Sequence, residues 1–268
     1  MNWQYYKGAL LSNLEMHRDV IISKKEANSL LKSYNAFFLR YTTDFDQTFS
    51  SPAYYVIKDS WKGMDELNTN TRNQVRKALR MCDVKRINKE VLFSHGYEVY
   101  QEHTVNYKNS SNNLLNYDRY VAMIQNLCDR ELFGCFDRQT SKLIGYAQNI
   151  VGEGVNYSLI KANPKFYRSH YPFYALFFKM DEYYLHECKK KYVCDGFRTL
   201  DNHSKIQDFL IEKFKFRKAY CKLHIHYTWW LKPIVVLIYP FRKFIKASKI
   251  KSLLFQEEIS RKSNKYKH

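Results

Sequence analysis

Residues 131–161 read ELFGCFDRQTSKLIGYAQNIVGEGVNYSLIK. The runs 131–137 and 142–151 are rich in apolar, β-branched and aromatic residues, and the polar turn 138–141 joins them, so they predict a hairpin. Gly152-Glu153-Gly154 is a tight connection into a third strand over 155–161. Downstream, a loop over 162–171 leads into a helix. Pro172 suits its first position, where a missing N–H costs nothing, and the helix is expected to run to about residue 187. A strand over 191–195, a loop over 196–202, a helix over 203–214 and a long strand over 216–227 complete the series. The order β-β-β-α-β-α-β predicts a mixed α/β or α+β sheet, mostly antiparallel, with helices on its faces.

Upstream the pattern is looser. Residues 3–10 read as a strand. Ser23-Lys24-Lys25-Glu26 is a capping box that opens a helix to about residue 34, because the serine can bond the N3 amide while the glutamate reaches back. Short runs at 36–41 and 53–57 read as strands, with a turn-rich stretch over 42–52 between them. A helix is expected over 64–83. Leu67, Thr71, Val75, Leu79 and Cys82 share one face of it, and Arg72, Arg76 and Arg80 form a column on another. Residues 97–100 read as a strand and 117–128 as a helix. Beyond Pro233, Phe241, Phe244, Ile245 and Leu253 interleave with Arg242, Lys243, Lys246, Lys249 and Lys251. This pattern fits a basic amphipathic helix of the kind used at anionic membrane surfaces. It also fits a helix docked on the body with a solvated basic face. The expected divisions are an N-terminal α/β part over 1–105, a central domain over 106–228 and a basic helical tail over 229–268.

The composition is that of a globular chain: of 268 residues, 45% are hydrophobic and 26% charged. Only 8 glycines and 5 prolines occur, which argues against collagen-like repeats, propellers and flexible tethers. No apolar run approaches the ~18–20 residues of a spanning helix, and no secretory leader is visible, so a cytoplasmic protein is expected, at most peripheral at the inner membrane face. The six cysteines form no C-x-x-C pair and read as reduced, mostly buried thiols. His224 and His226 share a strand face but lack a third ligand at matching spacing, so no metal site is expected. The formal charge is +18, and residues 186–268 carry 20 basic and 7 acidic side chains. Such a bias suits nucleic acid, a phosphate-bearing cofactor or an anionic membrane; it also suits a merely solvated basic surface.

The order of elements over 131–227 resembles the core of the GNAT superfamily of acyl-CoA N-acyltransferases. The junction Glu212-Lys213-Phe214-Lys215-Phe216-Arg217-Lys218 is similar to that superfamily's late helix-to-strand passage. Leu67 to Ala78, with Thr71, Arg72, Val75, Arg76 and Lys77, resembles the arginine-bearing helix of its Fem-like branch. The resemblance covers most of residues 36–228. At the phosphate loop the chain departs from the pattern: Arg168-Ser169-His170-Tyr171-Pro172-Phe173-Tyr174-Ala175 keeps a basic residue and a final small residue but has no glycine.

The resemblance implies transfer of an acyl group, from acetyl-CoA or another acyl-CoA, to the amine of a small molecule or a bacterial cell-envelope precursor. The donor would lie between strands 155–161 and 191–195, where a splayed pair leaves a backbone amide for the carbonyl oxygen. His203, near a helix N-terminus, becomes the candidate acid or base, Asp195 a residue that orients either the acceptor or His203, and Tyr157 a hydroxyl near the amine. Arg168, His170, Tyr174 and Arg198 are the candidates for the donor, the arginines because a guanidinium forks onto phosphate oxygens. Arg72, Arg76 and Glu153 are the candidates for the acceptor. Two alternatives stay open: a Fem-like aminoacyl transferase using charged tRNA, and a GNAT-shaped module without chemistry.

Overall fold

The computed structural model describes residues 3–106, 114–198 and 205–265. Its strands are β1 (Trp3–Tyr6), β2 (Ala9–Ser12), β3 (Phe38–Gln47), β4 (Tyr54–Lys58), β5 (Cys82–Ile87), β6 (Arg130–Asp137), β7 (Leu143–Val151), β8 (Val155–Ala162), β9 (Val193–Phe197) and β10 (Arg217–Tyr227). Its helices are α1 (Lys24–Ser33), α2 (Thr69–Met81), α3 (Lys89–Val91), α4 (Tyr97–Asn106), α5 (Tyr117–Gln125), α6 (Pro172–Asp181), α7 (Ile206–Phe214), α8 (Leu231–Ile238) and α9 (Ser248–Ser263). The result is a mixed α/β protein with mostly antiparallel pairing. It forms two compact units that interleave in sequence. One comprises Ile57–Gly196 and Asp208–Phe216; the other comprises Met1–Val56, Phe197–Gln207 and Arg217–His268.

The first unit contains the stretch that decides the fold. β5, β6, β7 and β8 pair antiparallel in chain order, and β9 joins β8 in parallel. Residues 143–149 of β7 are all buried, as expected for a strand covered on both faces. Alternation along the strand sends Tyr146 into a cluster with Leu92, Tyr100, Tyr120 and Ile124, while Asn149 meets Met180 and Tyr184 on the other face. Helices therefore cover both faces, α4 and α5 one of them and α6 the other. In the second unit β2 and β3 run parallel with α1 between them in the chain, and β10 pairs antiparallel with β3. The Ser23–Glu26 capping box forms as expected: the Ser23 amide donates to the Glu26 carboxylate at 2.8 Å, and the Glu26 amide donates back to the Ser23 hydroxyl. Helix α9 docks on β10, where the Ser260 hydroxyl and the Asn264 amide both donate to the Leu223 carbonyl.

Several expectations are corrected. Residues 97–100 are helical: Tyr97 and Tyr100 stack at helical spacing and both pack on Tyr120, so packing overrides the strand-like alternation. The helix expected to reach residue 83 stops at Met81, and Cys82–Ile87 becomes the edge strand β5 paired along β6. The stretch read as turns continues β3 to Gln47, with Asp44 and Asp46 at positive φ inside it. Residues 3–10 hold a hairpin turning at Gly8, whose φ of 87° favours glycine. The residues expected to form one basic helix, from Phe241 to Leu253, do not: α8 ends at Ile238 before them, and α9 begins only at Ser248. All six cysteines are free thiols; Cys128 and Cys188 are exposed and the other four are buried. No helix among the described residues is long and apolar enough to cross a membrane.

Candidate active site

The site begins where two strands part. β8 and β9 pair at only two positions, Val155 with Val193 and Asn156 with Cys194. The closed end is pinned at the preceding turns. The Val155 amide donates to the Tyr192 carbonyl at 2.9 Å, the Lys191 amide donates to the Glu153 carbonyl at 3.0 Å, and the Lys191 and Glu153 side chains form an ion pair. Beyond Asn156 the ladder to β9 ends, while β8 stays paired with β7 as far as Ala162. A register shift between Gln148 and Asn149 inserts Ser158 as an extra residue on β8. Its hydroxyl donates to the Gln148 carbonyl at 2.8 Å. Such a bulge bends a strand and re-aims what it carries. The outcome is a fork with a bent β8 and, past the branch point, an edge that has no strand partner among the described residues.

Tyr157 is the first residue of β8 past the last paired position, and its side chain is buried. Its hydroxyl donates to Asp181 Oδ1 at 2.7 Å. The other carboxylate oxygen of Asp181 accepts from Lys58 Nζ at 3.0 Å, and the same ammonium reaches Glu66 at 2.6 Å. Lys58 also sits over the Trp61 ring at 4.7 Å. Lys58, Asp181 and Tyr157 are 2%, 0% and 4% exposed, so a charged chain runs under the fork in a region shut off from water. A carboxylate and an ammonium tolerate such a place only as partners. Burial pushes the Asp181 carboxyl up, opposed by Lys58 and by the Tyr157 hydroxyl. Burial first, and the adjoining carboxylate second, push the Tyr157 phenol well above its ordinary range, so it remains protonated through neutral pH. Around this chain, Tyr157 meets Phe177 and Tyr184, and Phe177 joins Tyr174, Phe209 and Phe214 in an aromatic cluster.

The loop into α6 carries the residues expected at a donor's phosphates. Arg168 is exposed. His170 is held by its neighbours: Nδ1 bonds the Ser169 hydroxyl at 2.8 Å and Nε2 lies 3.3 Å from Asp137. Tyr171 precedes α6 with φ 52° and ψ 52°, a left-handed conformation that glycine usually supplies, and no side chain caps the helix. The loop thus takes a glycine-like turn without a glycine, and the Tyr174 amide donates back to the Tyr171 carbonyl at 2.9 Å. Tyr174 stands in the first turn of α6 and packs edge-on against Phe209.

The remaining candidates are distributed as follows. Asp195 lies on β9 one residue past the fork and is partly exposed. His203 lies outside the described residues. Glu153 occupies the turn at the closed end of the fork. Arg72 donates to the carbonyls of Met64 and Leu67, where it ties the 3-10 turn before α2 to that helix, and Arg76 is exposed on α2. Arg198 belongs to the other unit, where it donates to the Pro52 carbonyl at 2.7 Å and lies over the rings of Tyr54 and Phe255. In that unit His224 bonds the Thr43 hydroxyl and His226 bonds Asn28. Lys58, Glu66 and Asp181 were not expected from the sequence. The available signals were a lysine ending the apolar run 54–57 and a lone carboxylate on the apolar side of α6.

No protein-family model and no curated protein matches the sequence. Among solved structures the chain is similar to FemX, at 12% identity and TM-score 0.53 over 88% of this chain and 85% of that one. It is also similar to the C-terminal domain of a protein from Agrobacterium fabrum described as a lysylphosphatidylglycerol synthetase, at 8% identity and TM-score 0.51 over 88% and 82%. At these identities the likeness concerns the fold alone. The chain therefore has a GNAT-like fold, similar to that of FemX.

Proposed function

We propose that this protein is an acyltransferase that moves an acyl group from a CoA thioester to the amine of a small molecule or cell-envelope precursor. The observation that carries the reading is the fork of β8 and β9, which ends its ladder at Asn156 and Cys194 over a buried, protonated phenol. The thioester supplies an activated carbonyl whose carbon the neutral amine attacks, so that a C–N bond forms as the C–S bond breaks. The unpaired edge of β8 offers an amide to the carbonyl oxygen as negative charge develops there. The single O–H of Tyr157 is held by Asp181, so Tyr157 offers the amine its hydroxyl oxygen as an acceptor, and Asp181 with Lys58 fixes that orientation. Asp195 and His203 are assigned to the amine's proton, with the departing sulfur protonated in the same step. Arg168, with His170 and Tyr174 at the start of α6, would hold the donor's phosphates. Arg72, Arg76 and Glu153 are the acceptor candidates, and Arg198 the remaining donor candidate.

The charge of +18 supports a second reading, in which the activated carbonyl arrives as the ester of an aminoacyl-tRNA. A thermal-shift panel separates the two. Acyl-CoA near 100-fold over its Kd should add about 2.7 kcal/mol of stability, with little dependence on salt. Stabilisation by charged tRNA alone, falling steeply with salt, favours the second reading. No response to either donor leaves a GNAT-shaped module without chemistry and overturns the proposal.

A further inference from the structure

Helix α8 presents apolar side chains on both of its sides. Leu231, Val235 and Ile238 face inward; Val235 is 1% exposed and packs with Tyr227 and Leu254. Ile234 and Leu237 lie three residues apart on one side of α8, with Trp230 one turn before Ile234 at the helix start and Phe241 in the 3-10 turn that follows, and Trp230, Ile234, Leu237 and Phe241 are 40%, 46%, 73% and 61% exposed. Trp229 and Phe244 flank these residues at 86% and 81%. A helix that is apolar all round is at home in a protein core or against lipid, and this one has only half of a core. The helix is anchored: besides the inward face, Trp230 meets the Phe37 ring edge-on.

The surrounding charge identifies the occupant. From Trp229 to Phe255 the sequence holds Lys232, Arg242, Lys243, Lys246, Lys249 and Lys251 and no carboxylate; of these cations Arg242 is paired, with Glu258 at 3.1 Å, and the lysines carry the surface charge. A second copy of the chain seated here across a two-fold axis would bring cations against cations. Nucleic acid would use the cations and the aromatic rings but gains nothing from Ile234, Val236 and Leu237. An anionic bilayer uses both sets: apolar side chains enter the acyl boundary while lysines meet the phosphates. Eight residues span about 12 Å against a hydrocarbon core of about 30 Å, so the helix can lie in the interface and cannot cross it.

We propose that the α8–Phe244 segment docks this protein on anionic phospholipid bilayers, with Trp230, Ile234, Leu237 and Phe241 immersed and the lysines of 232–251 at the headgroups. The proposal does not rest on the transferase reading, because binding is measured without substrate. The full chain is floated with vesicles of phosphatidylcholine containing about one-third phosphatidylglycerol, and with vesicles of phosphatidylcholine alone. Binding should be saturable on the anionic vesicles, weaken as salt shortens the reach of the charges, and shift Trp emission to the blue. Leu237→Glu with Phe241→Ser should lower the partition coefficient tenfold or more, and Lys243→Glu with Lys246→Glu should do so on anionic vesicles only. Leu237→Phe, which keeps the apolar surface, should retain binding and shows that the loss is not a folding defect. No association with anionic vesicles, or association unchanged in the Leu237→Glu, Phe241→Ser variant, overturns the proposal. So does a dimer in sedimentation that this variant dissolves.

Discussion

The Tyr157 hydroxyl donates to the Asp181 carboxylate across 2.7 Å, at the residue where β8 passes beyond its last pair with β9. One bond therefore connects the branch point of the sheet to the last turn of α6. Through Lys58 and Glu66 it continues into the segment that precedes α2. A charged chain so thoroughly buried costs desolvation energy that a hydrophobic replacement would avoid.

Removing one member of that chain leaves another uncompensated. Asp181→Ala should destabilise the protein by about 3–5 kcal/mol, because the Lys58 ammonium loses its most buried counter-ion. Lys58→Met together with Asp181→Leu should recover much of that loss, since Glu66 lies nearer the surface. Urea unfolding of the single and double variants checks this; strictly additive losses would show that the two residues are not energetically coupled.

Tyr157→Phe keeps the ring among Phe177 and Tyr184 and removes only the hydroxyl. Stability should fall by about 1 kcal/mol. Acyl transfer should fall by about 10²-fold or more if the phenol oxygen receives and orients the amine. Unchanged turnover would reduce Tyr157 to a packing residue.

Gly154 occupies the turn that closes the fork, and a Cβ there would lie 2.4 Å from the Tyr192 ring. Gly154→Ala should therefore cost about 1–3 kcal/mol by overpacking. The rigid ring is the obstacle, so Tyr192→Leu should relieve most of the added cost in the double variant. Thermal melting of the set measures it, and a neutral Gly154→Ala would mean that the Tyr192 ring yields without cost.

His103 shows how one buried imidazole makes stability depend on pH. Burial and the nearby Lys161 lower its pKa to about 4, and Nδ1 lies 3.2 Å from the Ala162 carbonyl. Its ordinary value is about 6.5, so between pH 6.5 and 4 the unfolded chain binds the extra proton and the folded chain resists it. The stabilisation is whole above pH 6.5 and disappears as pH falls toward 4. After allowance for solvent at this partly exposed position, the loss is on the order of 2 kcal/mol. Unfolding free energies at pH 7 and pH 4.5 should diverge less in His103→Phe than in the parent chain; an equal fall in both would assign the dependence to other groups.

The legible part of this fold was the part whose side chains alternate or recur locally. The 131–151 hairpin, the strand from Val155, Pro172 at the start of α6 and the Ser23–Glu26 box each follow from neighbours in sequence. The edge strand β5 was hidden because Cys82 continues the apolar spacing of α2 and only its pairing with β6 shows it as a strand. Helix α4 was hidden because Tyr97, Val99 and Tyr100 suit either period, and the decision was made by the distant Tyr120. At the site, Tyr157 was in view, but its partners were not. Lys58 and Asp181 are 123 positions apart, and one lysine or one aspartate in an apolar run carries no local sign of a distant mate. The loop into α6 shows the opposite case: the missing glycines were plain, whereas the left-handed turn at Tyr171 was not.

The most direct test of the account is hydrogen exchange across β8, read at residues 157–162 with and without donor. A saturating acyl-CoA, or aminoacyl-tRNA on the second reading, should slow exchange there and around Asp195, because a bound carbonyl occupies the open edge of the fork. Exchange over 157–162 that no thioester and no charged tRNA alters would show that the fork receives no donor, and would contradict the proposed transfer.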